Sequence, residues 1–354
     1  MNIYPRLEVD LQKIRHNTKT LTELCKKYGV AVAGVTKVFC GIPEIADALV
    51  DGGVAMLADS RIENLKKLQN FHLPKLLLRL PMVSQAREVV KYADISLNSE
   101  LKTIEKLSEA AKELKKIHNI LLMVDLGDLR EGVWKDHVMA TVEEILKFDY
   151  VHLIGIGTNL TCYGGVIPNK DNLGVLAELA QAIESKFNIS LSIVSGGNSS
   201  SLYLLEKGEM PPRINHLRLG ESIVLGRETA FGNAIPHTYQ DAFTLVAEIV
   251  ELKEKPSVPI GEIGMDAFGN QPVFEDKGIR KRAILAIGRQ DVSVQNLIPI
   301  DPNITIFGAS SDHLIVDVTD CEKNYSVGNE VKFHVEYGAL LQLMTSEYIY
   351  KKIL

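Results

Sequence analysis

Apolar residues follow two different patterns along this chain. Between residues 30 and 220, unbroken apolar runs at 30–38, 54–59, 75–81, 93–98, 119–125, 151–158, 191–196 and 216–220 alternate with helically patterned stretches. Those helical stretches include 43–49, 61–68, 100–116, 138–148 and 172–187. Continuous rather than alternating runs belong to strands buried on both faces, as in a parallel sheet covered by helices. Eight such units predict a closed (β/α)8 TIM barrel in preference to an open doubly wound sheet. Ahead of them, Asp10 is placed to cap a helix whose Leu11, Ile14, Thr18, Leu21, Cys25 and Tyr28 share a face and which stops at Gly29.

After Gly226 the pattern changes to period two. The segment 242–250 alternates, and 283–288, 304–308, 313–318 and 330–335 are short runs broken by Pro, Gly, Asp and Asn. This predicts a C-terminal antiparallel β domain, with the Gly- and Pro-rich stretch 256–282 as a long loop. The expected division is 1–230 for the barrel and 231–354 for the β domain.

Composition narrows the function classes. The 354 residues are 46% apolar and 24% charged, as in an ordered globular chain of more than one core. With 39 Lys and Arg against 45 Asp and Glu, the net charge of -6 argues against a nucleic-acid or anionic-membrane surface. No apolar run is long enough to span a bilayer and the N-terminus has no signal-like core, so a cytoplasmic enzyme is expected. Cys25, Cys40, Cys162 and Cys321 stand apart and form no C-x-x-C pair, which fits reduced thiols. His313, Cys321 and His334 have no compact ligand spacing, and no metal site is expected.

In a barrel of this kind, chemistry collects at the C-terminal ends of the strands. Those ends carry Lys37, Asp59 and Ser60, Arg79, Asn98, Asp125 with Arg130, Thr158 with Asn159, Ser195-Gly-Gly-Asn-Ser-Ser-Ser201, and Arg218-Leu-Gly-Glu-Ser222. Lys37 closes the first buried run, Val30-Ala-Val-Ala-Gly-Val-Thr-Lys37. A lysine amine there is placed to form a Schiff base if its surroundings lower its pKa. Small residues after strands seven and eight offer backbone N–H groups to an anion, the usual place for phosphate in these barrels. A phosphate grip opposite a reactive lysine describes a phosphorylated aldehyde, pyridoxal 5′-phosphate (PLP).

Taken in order, these motifs resemble the fold-type III PLP enzymes of the alanine racemase family, most closely the ornithine racemase branch. The segment Val9-Asp-Leu-Gln-Lys-Ile-Arg-His-Asn17 is similar to that family's first-helix signature. The resemblance implies that Lys37 binds PLP and serves as one catalytic base. It implies that Arg130 meets the substrate carboxylate, Asn159 covers the cofactor ring and Ser199 binds phosphate. Arg218 would contact the pyridine nitrogen, with the amides of Gly220 and Glu221 on the phosphate. Ala309-Ser-Ser-Asp312 resembles the loop that enters a partner's active site, and a head-to-tail homodimer is implied.

The chain departs from the family pattern at four positions. Asn159 replaces a stacking histidine, Ile260 a catalytic tyrosine, Met123 a lysine carbamylated in some members, and Arg289 a pocket tyrosine. The opposite-face base is therefore sought among carboxylates. Asp266 is placed first and Asp312 second, and either would need apolar surroundings that raise its pKa. A second substrate ammonium, as in ornithine, needs anions, for which Glu221, Asp266, Asp291 and Asp312 are candidates. The expectation is two-base racemisation of ornithine. Another amino acid (alanine, lysine or serine), a metal-assisted D-amino-acid lyase and a non-catalytic PLP carrier are the alternatives.

Overall fold

The structure, a computed structural model, describes residues 3–354. It divides into two compact units, Gln12–Gln240 and the residues through Leu11 together with Asp241–Leu354. The first unit is a closed barrel of eight parallel strands. In chain order these are Ala31–Val35, Met56–Asp59, Lys75–Leu77, Ile95–Asn98, His118–Asp125, Val151–Gly157, Ile193–Ser195 and His216–Leu219. Each pairs in parallel with its sequence neighbours, and the first pairs with the eighth to close the ring. Every apolar run expected to be a barrel strand contains one, and five of the eight strands stop one to four residues short of the end of the run.

The register decides what fills the barrel. Ala33, Val35, Met56, Ala58, Leu76, Ile95, Leu97, Leu121 and Met123 form one buried apolar cluster. Ala33 is paired with Arg218, Met123 with Gly157, Gly157 with Ser195 and Ser195 with His216. Paired residues of a parallel sheet point to the same side, so Ser195, His216 and Arg218 face the interior beside the apolar cluster. Gly157 leaves room for them, since a Cβ there would come within 3.1 Å of the Ser195 Cβ.

The helix ahead of the barrel spans Leu11–Lys27 and buries Ile14, Asn17, Thr18, Leu21 and Cys25. Tyr28, expected on the same face, lies outside the helix and is exposed, whereas the polar Asn17 is buried. Asn17 earns that place by its bonds. Its Nδ2 donates to the carbonyls of Ile223 (3.0 Å) and Tyr239 (2.7 Å), and its Oδ1 accepts from Tyr239 N at 2.7 Å. This ties the first helix to the segment that leaves the barrel.

The second unit is antiparallel, as its alternation requires, but its boundary is not at 230. Barrel-unit contacts continue to Gln240, and the opening strand Arg6–Val9 joins the other unit. That strand lies between Phe243–Pro256 and the last strand, Tyr350–Ile353. Its Arg6 is buried and bonded to Glu8 (2.8 Å) and Glu330 (3.1 Å), a long-range ion pair that local pattern does not reveal. The remaining strands are Ile279–Leu285, Leu297–Pro299, Thr305–Ala309, Leu314–Asp317 and Glu330–Val335, with a helix at Tyr337–Thr345. Residues 257–278 carry no helix or strand, in keeping with their Gly- and Pro-rich sequence.

Candidate active site at the barrel strand ends

Arg218 organises the barrel end of the site. It is 5% exposed, and its Nη2 donates to the Thr158 carbonyl at 2.7 Å and, at 3.5 Å, to Asn159 Oδ1. Its Nη1 donates to Ser195 Oγ. These acceptors are all neutral. Burial pushes the guanidinium down to about 10, partly offset by the more distant charge of Glu131, so it stays protonated at neutral pH. A buried cation hydrogen-bonded to neutral oxygens retains its electrostatic pull on an incoming ligand.

Behind Arg218 a relay runs into the barrel. Ser195 Oγ lies 2.8 Å from His216 Nδ1. Since Arg218 donates to that hydroxyl, the hydroxyl proton goes to Nδ1 and the imidazole carries its own proton on Nε2. Burial, then the Arg218 charge, lowers the His216 pKa to about 3, which keeps the ring neutral. Its Nε2 has no hydrogen-bond partner among the described residues. In the sequence Ser195 stands out only as the first residue of a small-residue run, and no motif marks His216.

Two further buried polar atoms at the end of the sixth barrel strand, Thr158 Oγ1 and Asn159 Nδ2, lack a partner among the described residues. Asn159 is also held from the next strand end, where Asn198 Nδ2 donates to its Oδ1 at 3.2 Å. Unmet buried groups cost free energy unless something occupies the space before them. After the seventh and eighth strands, Ser199 and Ser222 join the two small-residue segments. Ser199 Oγ donates to Ser222 Oγ at 2.9 Å and accepts from Ser222 N at 3.1 Å. Gly220 lies against the first strand, where a Cβ would approach Val35 Cβ to 3.1 Å, and Glu221 opens the short helix Glu221–Leu225.

Lys37 does not close the first strand. That strand ends at Val35, and Lys37 opens a 3-10 turn, Lys37–Phe39, with its side chain exposed. Arg130 sits in a tightly turned loop, between Leu129 at φ 56° and Gly132 at φ 136°, and pairs with the carboxylate of Glu131. The loop is anchored by Asp125 Oδ1, which accepts from Gly127 N at 2.8 Å, and by the buried Asp128, which accepts from Tyr163 N and Val166 N.

The carboxylates expected from the C-terminal part belong to the other unit and are engaged there. Asp291 Oδ1 accepts from Ser346 Oγ at 2.6 Å. Asp266 caps its own turn, taking Phe268 N at 2.9 Å and Asn270 N at 2.8 Å, and the Asn270 bond leads in holding its pKa below the usual carboxylate value. Asp312 bonds His313 Nδ1 at 3.0 Å and the hydroxyls of Ser310 and Ser311, which lowers its pKa too. The raised pKa expected of a carboxylate base is found at neither aspartate. Asp312 is exposed and Asp266 half-buried, so among the described residues neither has the apolar surroundings that would raise it. Ile260 is 92% exposed, and Arg289 stacks on Phe268, its Cζ 4.5 Å from the ring centre.

A sequence profile of the alanine racemase N-terminal domain matches residues 9–228. The chain is 53% identical to ornithine racemase of Acetoanaerobium sticklandii over 353 residues, covering 99% of this chain and 100% of that protein. It is 42% identical to lysine racemase of Thermotoga maritima over 351 residues, covering 99% and 98%. Among solved structures, alanine racemase of Clostridium difficile superposes with a TM-score of 0.75 at 18% identity, over 100% of this chain and 96% of that one. D-threonine aldolase of Filomicrobium marinum reaches 0.74 at 14% identity, over 97% and 88%, so the fold alone does not select the reaction.

Proposed function

The chain belongs to the alanine racemase family, and from that premise we propose that it is a PLP-dependent amino-acid racemase whose preferred substrate pair is L- and D-ornithine. The observation that carries the cofactor assignment is the buried Arg218 bonded to neutral oxygens, beside the unpartnered Thr158 Oγ1 and Asn159 Nδ2. Such a donor set suits an anionic, ring-bearing group. Ornithine is preferred over lysine on the strength of 53% against 42% identity.

In this reading Lys37, Asn159, Ser199, Arg218 and the Gly220 and Glu221 amides hold the cofactor. PLP, when bound, supplies an electron-poor ring that acidifies the substrate Cα–H. The remaining work falls to the chain. The Lys37 amine accepts or returns the Cα proton on one face. Arg218 keeps its own proton while donating hydrogen bonds, because its pKa stays well above neutrality. Arg130 orients the substrate carboxylate as a forked donor. The opposite face is served from outside the barrel unit, by a loop group of the partner in a head-to-tail homodimer other than the carboxylates of Asp266 and Asp312, whose lowered pKa values suit them to hold their own turns. Glu221, with Asp291 of the partner subunit in the head-to-tail homodimer, is assigned to the side-chain ammonium. Among the described residues no helix is long and apolar enough to cross a membrane, and we place the enzyme in the cytoplasm.

Purified protein supplied with PLP and single L-amino acids tests the proposal by chiral chromatography. D-ornithine should form fastest, with lysine next and alanine and serine slower. Release of ammonia or aldehyde in place of the D-enantiomer would turn the assignment to a lyase, and equal rates on alanine and ornithine would remove the substrate.

A further inference from the structure

Lys37 sits in a turn that the local sequence does not favour, and something must hold it there. The turn begins at Thr36, runs through the 3-10 residues Lys37–Phe39 and leaves by two left-handed residues, Cys40 at φ 54° and Gly41 at φ 61°. A left-handed residue other than glycine costs about 1 kcal/mol or more, so the shape persists only where its surroundings impose it. Both ends of the turn lead to one carboxylate. Asp59, 0% exposed, ends the neighbouring second barrel strand. Its Oδ2 accepts from Thr36 Oγ1 at 2.6 Å. Its Oδ1 accepts from Asn64 Nδ2 at 3.1 Å and from Arg61 N at 2.8 Å.

Asn64 carries the connection to the far end. A Cβ on Gly41 would stand 2.9 Å from Asn64 Cβ, so only glycine lets the turn close against it. Asn64 Oδ1 accepts from Lys67 Nζ at 3.3 Å, and the same ammonium donates to the Cys40 carbonyl at 2.8 Å. Thr36 is thus held directly and Cys40 through Asn64 and Lys67, with Lys37 between them. Had Asp59 served only to start the following helix, its bond to Arg61 N would suffice. The Thr36 bond crosses to another strand and serves the lysine turn. Among the described residues no lysine or arginine side chain hydrogen-bonds Asp59, and burial raises its pKa against the pull of Thr36, Arg61 and Asn64.

We propose that Asp59 is a positioning residue that, through Thr36 on one side and Asn64 and Lys67 on the other, fixes the direction in which Lys37 presents its amine. The proposal rests on Lys37 as the PLP-binding lysine. Thr36→Val removes one hydroxyl and leaves Asp59 its bonds to Arg61 and Asn64. In the PLP-loaded enzyme it should lower kcat on the order of tenfold with KM changed less than about twofold, since misplacement acts on the chemical step. The pH midpoint of the bound cofactor's absorbance should move with it. Thr36→Ser should restore both values. Asp59→Ala should show the same signature more strongly, and adding Thr36→Val to it should change little. Thr36→Val carries the test even if Asp59→Ala does not fold. A Thr36→Val enzyme with wild-type kcat and wild-type absorbance midpoint would overturn the proposal. Borohydride reduction of the wild-type enzyme followed by peptide mapping separates the two levels. Label away from Lys37 removes the lysine assignment and this inference with it, whereas label on Lys37 with a silent Thr36→Val removes the inference alone.

Discussion

The buried polar groups at the barrel strand ends and the carboxylates of the second unit are settled in opposite ways. At the barrel strand ends, polar atoms are buried beyond what the protein itself satisfies. Arg218 is hydrogen-bonded to neutral oxygens, and Thr158 Oγ1, Asn159 Nδ2 and His216 Nε2 have no partner among the described residues. In the second unit, Asp266, Asp291, Asp312 and Asp317 are taken up by their own surroundings. Asp317, for example, bonds Thr319 and pairs with Arg280 at 2.7 Å. The first arrangement stores unmet electrostatic demand that a ligand relieves, whereas these four carboxylates store none, although Arg6 Nη1 and Arg282 Nε of the same unit are also buried without a partner among the described residues. A high density of acidic residues is therefore a poor guide to a site, and a scarcity of partners around buried groups is a better one.

Substitutions sharpen or break this contrast. Lys37→Ala should have the largest effect, a loss of kcat/KM beyond about a thousandfold together with loss of the borohydride-fixed cofactor. Full activity in that variant would remove the barrel end as the reacting site. Arg218→Lys keeps a charge but loses the planar fork that reaches Ser195, Thr158 and Asn159 together. Its kcat/KM should fall roughly ten- to a hundredfold and its dissociation constant for PLP should rise, measured by titration.

Acid should act on the buried histidines. Burial depresses His216 to about 3 and His118, bonded to Ser96, to about 4, both below the unfolded value of 6.5. Between those limits the unfolded chain binds the extra protons, so stability is fully present above pH 6.5 and is lost as pH falls toward 4. Each histidine contributes up to about 1.4 kcal/mol per pH unit in that window. Urea midpoints at pH 7 and pH 5 measure the slope, and His118→Gln should flatten it. An unchanged slope would mean that His118 is already protonated or solvated in the fold.

Asp266→Asn and Asp312→Asn should have the smallest effects. If these carboxylates chiefly hold their own loops, racemisation should change by less than about threefold, in line with the loss of one exposed cap. Deuterium exchange at Cα of each enantiomer reads the same variants more directly. Loss of exchange on one enantiomer alone in Asp266→Asn would make that aspartate the opposite-face base and break the contrast between the units.

How much was legible beforehand depended on the range of the forces involved. Eight continuous apolar runs announced a barrel because strands covered on both faces leave no other pattern, and period-two alternation announced the antiparallel unit. Lys37, Asn159, Ser199 and Arg218 could be picked out as candidates because they stand at or just beyond the ends of countable apolar runs. The same continuity hid the interior. In a run buried on both sides, nothing in the sequence distinguishes the face that carries Ser195, His216 and Arg218 from the face that meets the helices. Only strand register made that choice. Parallel pairing of the first two barrel strands placed Thr36 against Asp59, a pairing 23 residues apart that no local spacing marks. The opening strand went to the second unit because its pairing edges lie more than 200 residues downstream, at Val246 and Tyr350, where backbone hydrogen bonds and the Arg6–Glu330 pair hold it. Sequence determined which segments are apolar, at what period, and which reactive groups stand at their ends. Tertiary structure decided which polar groups are buried together and which of them go unpaired, because burial and pairing are properties of neighbours that the chain brings close only when it folds.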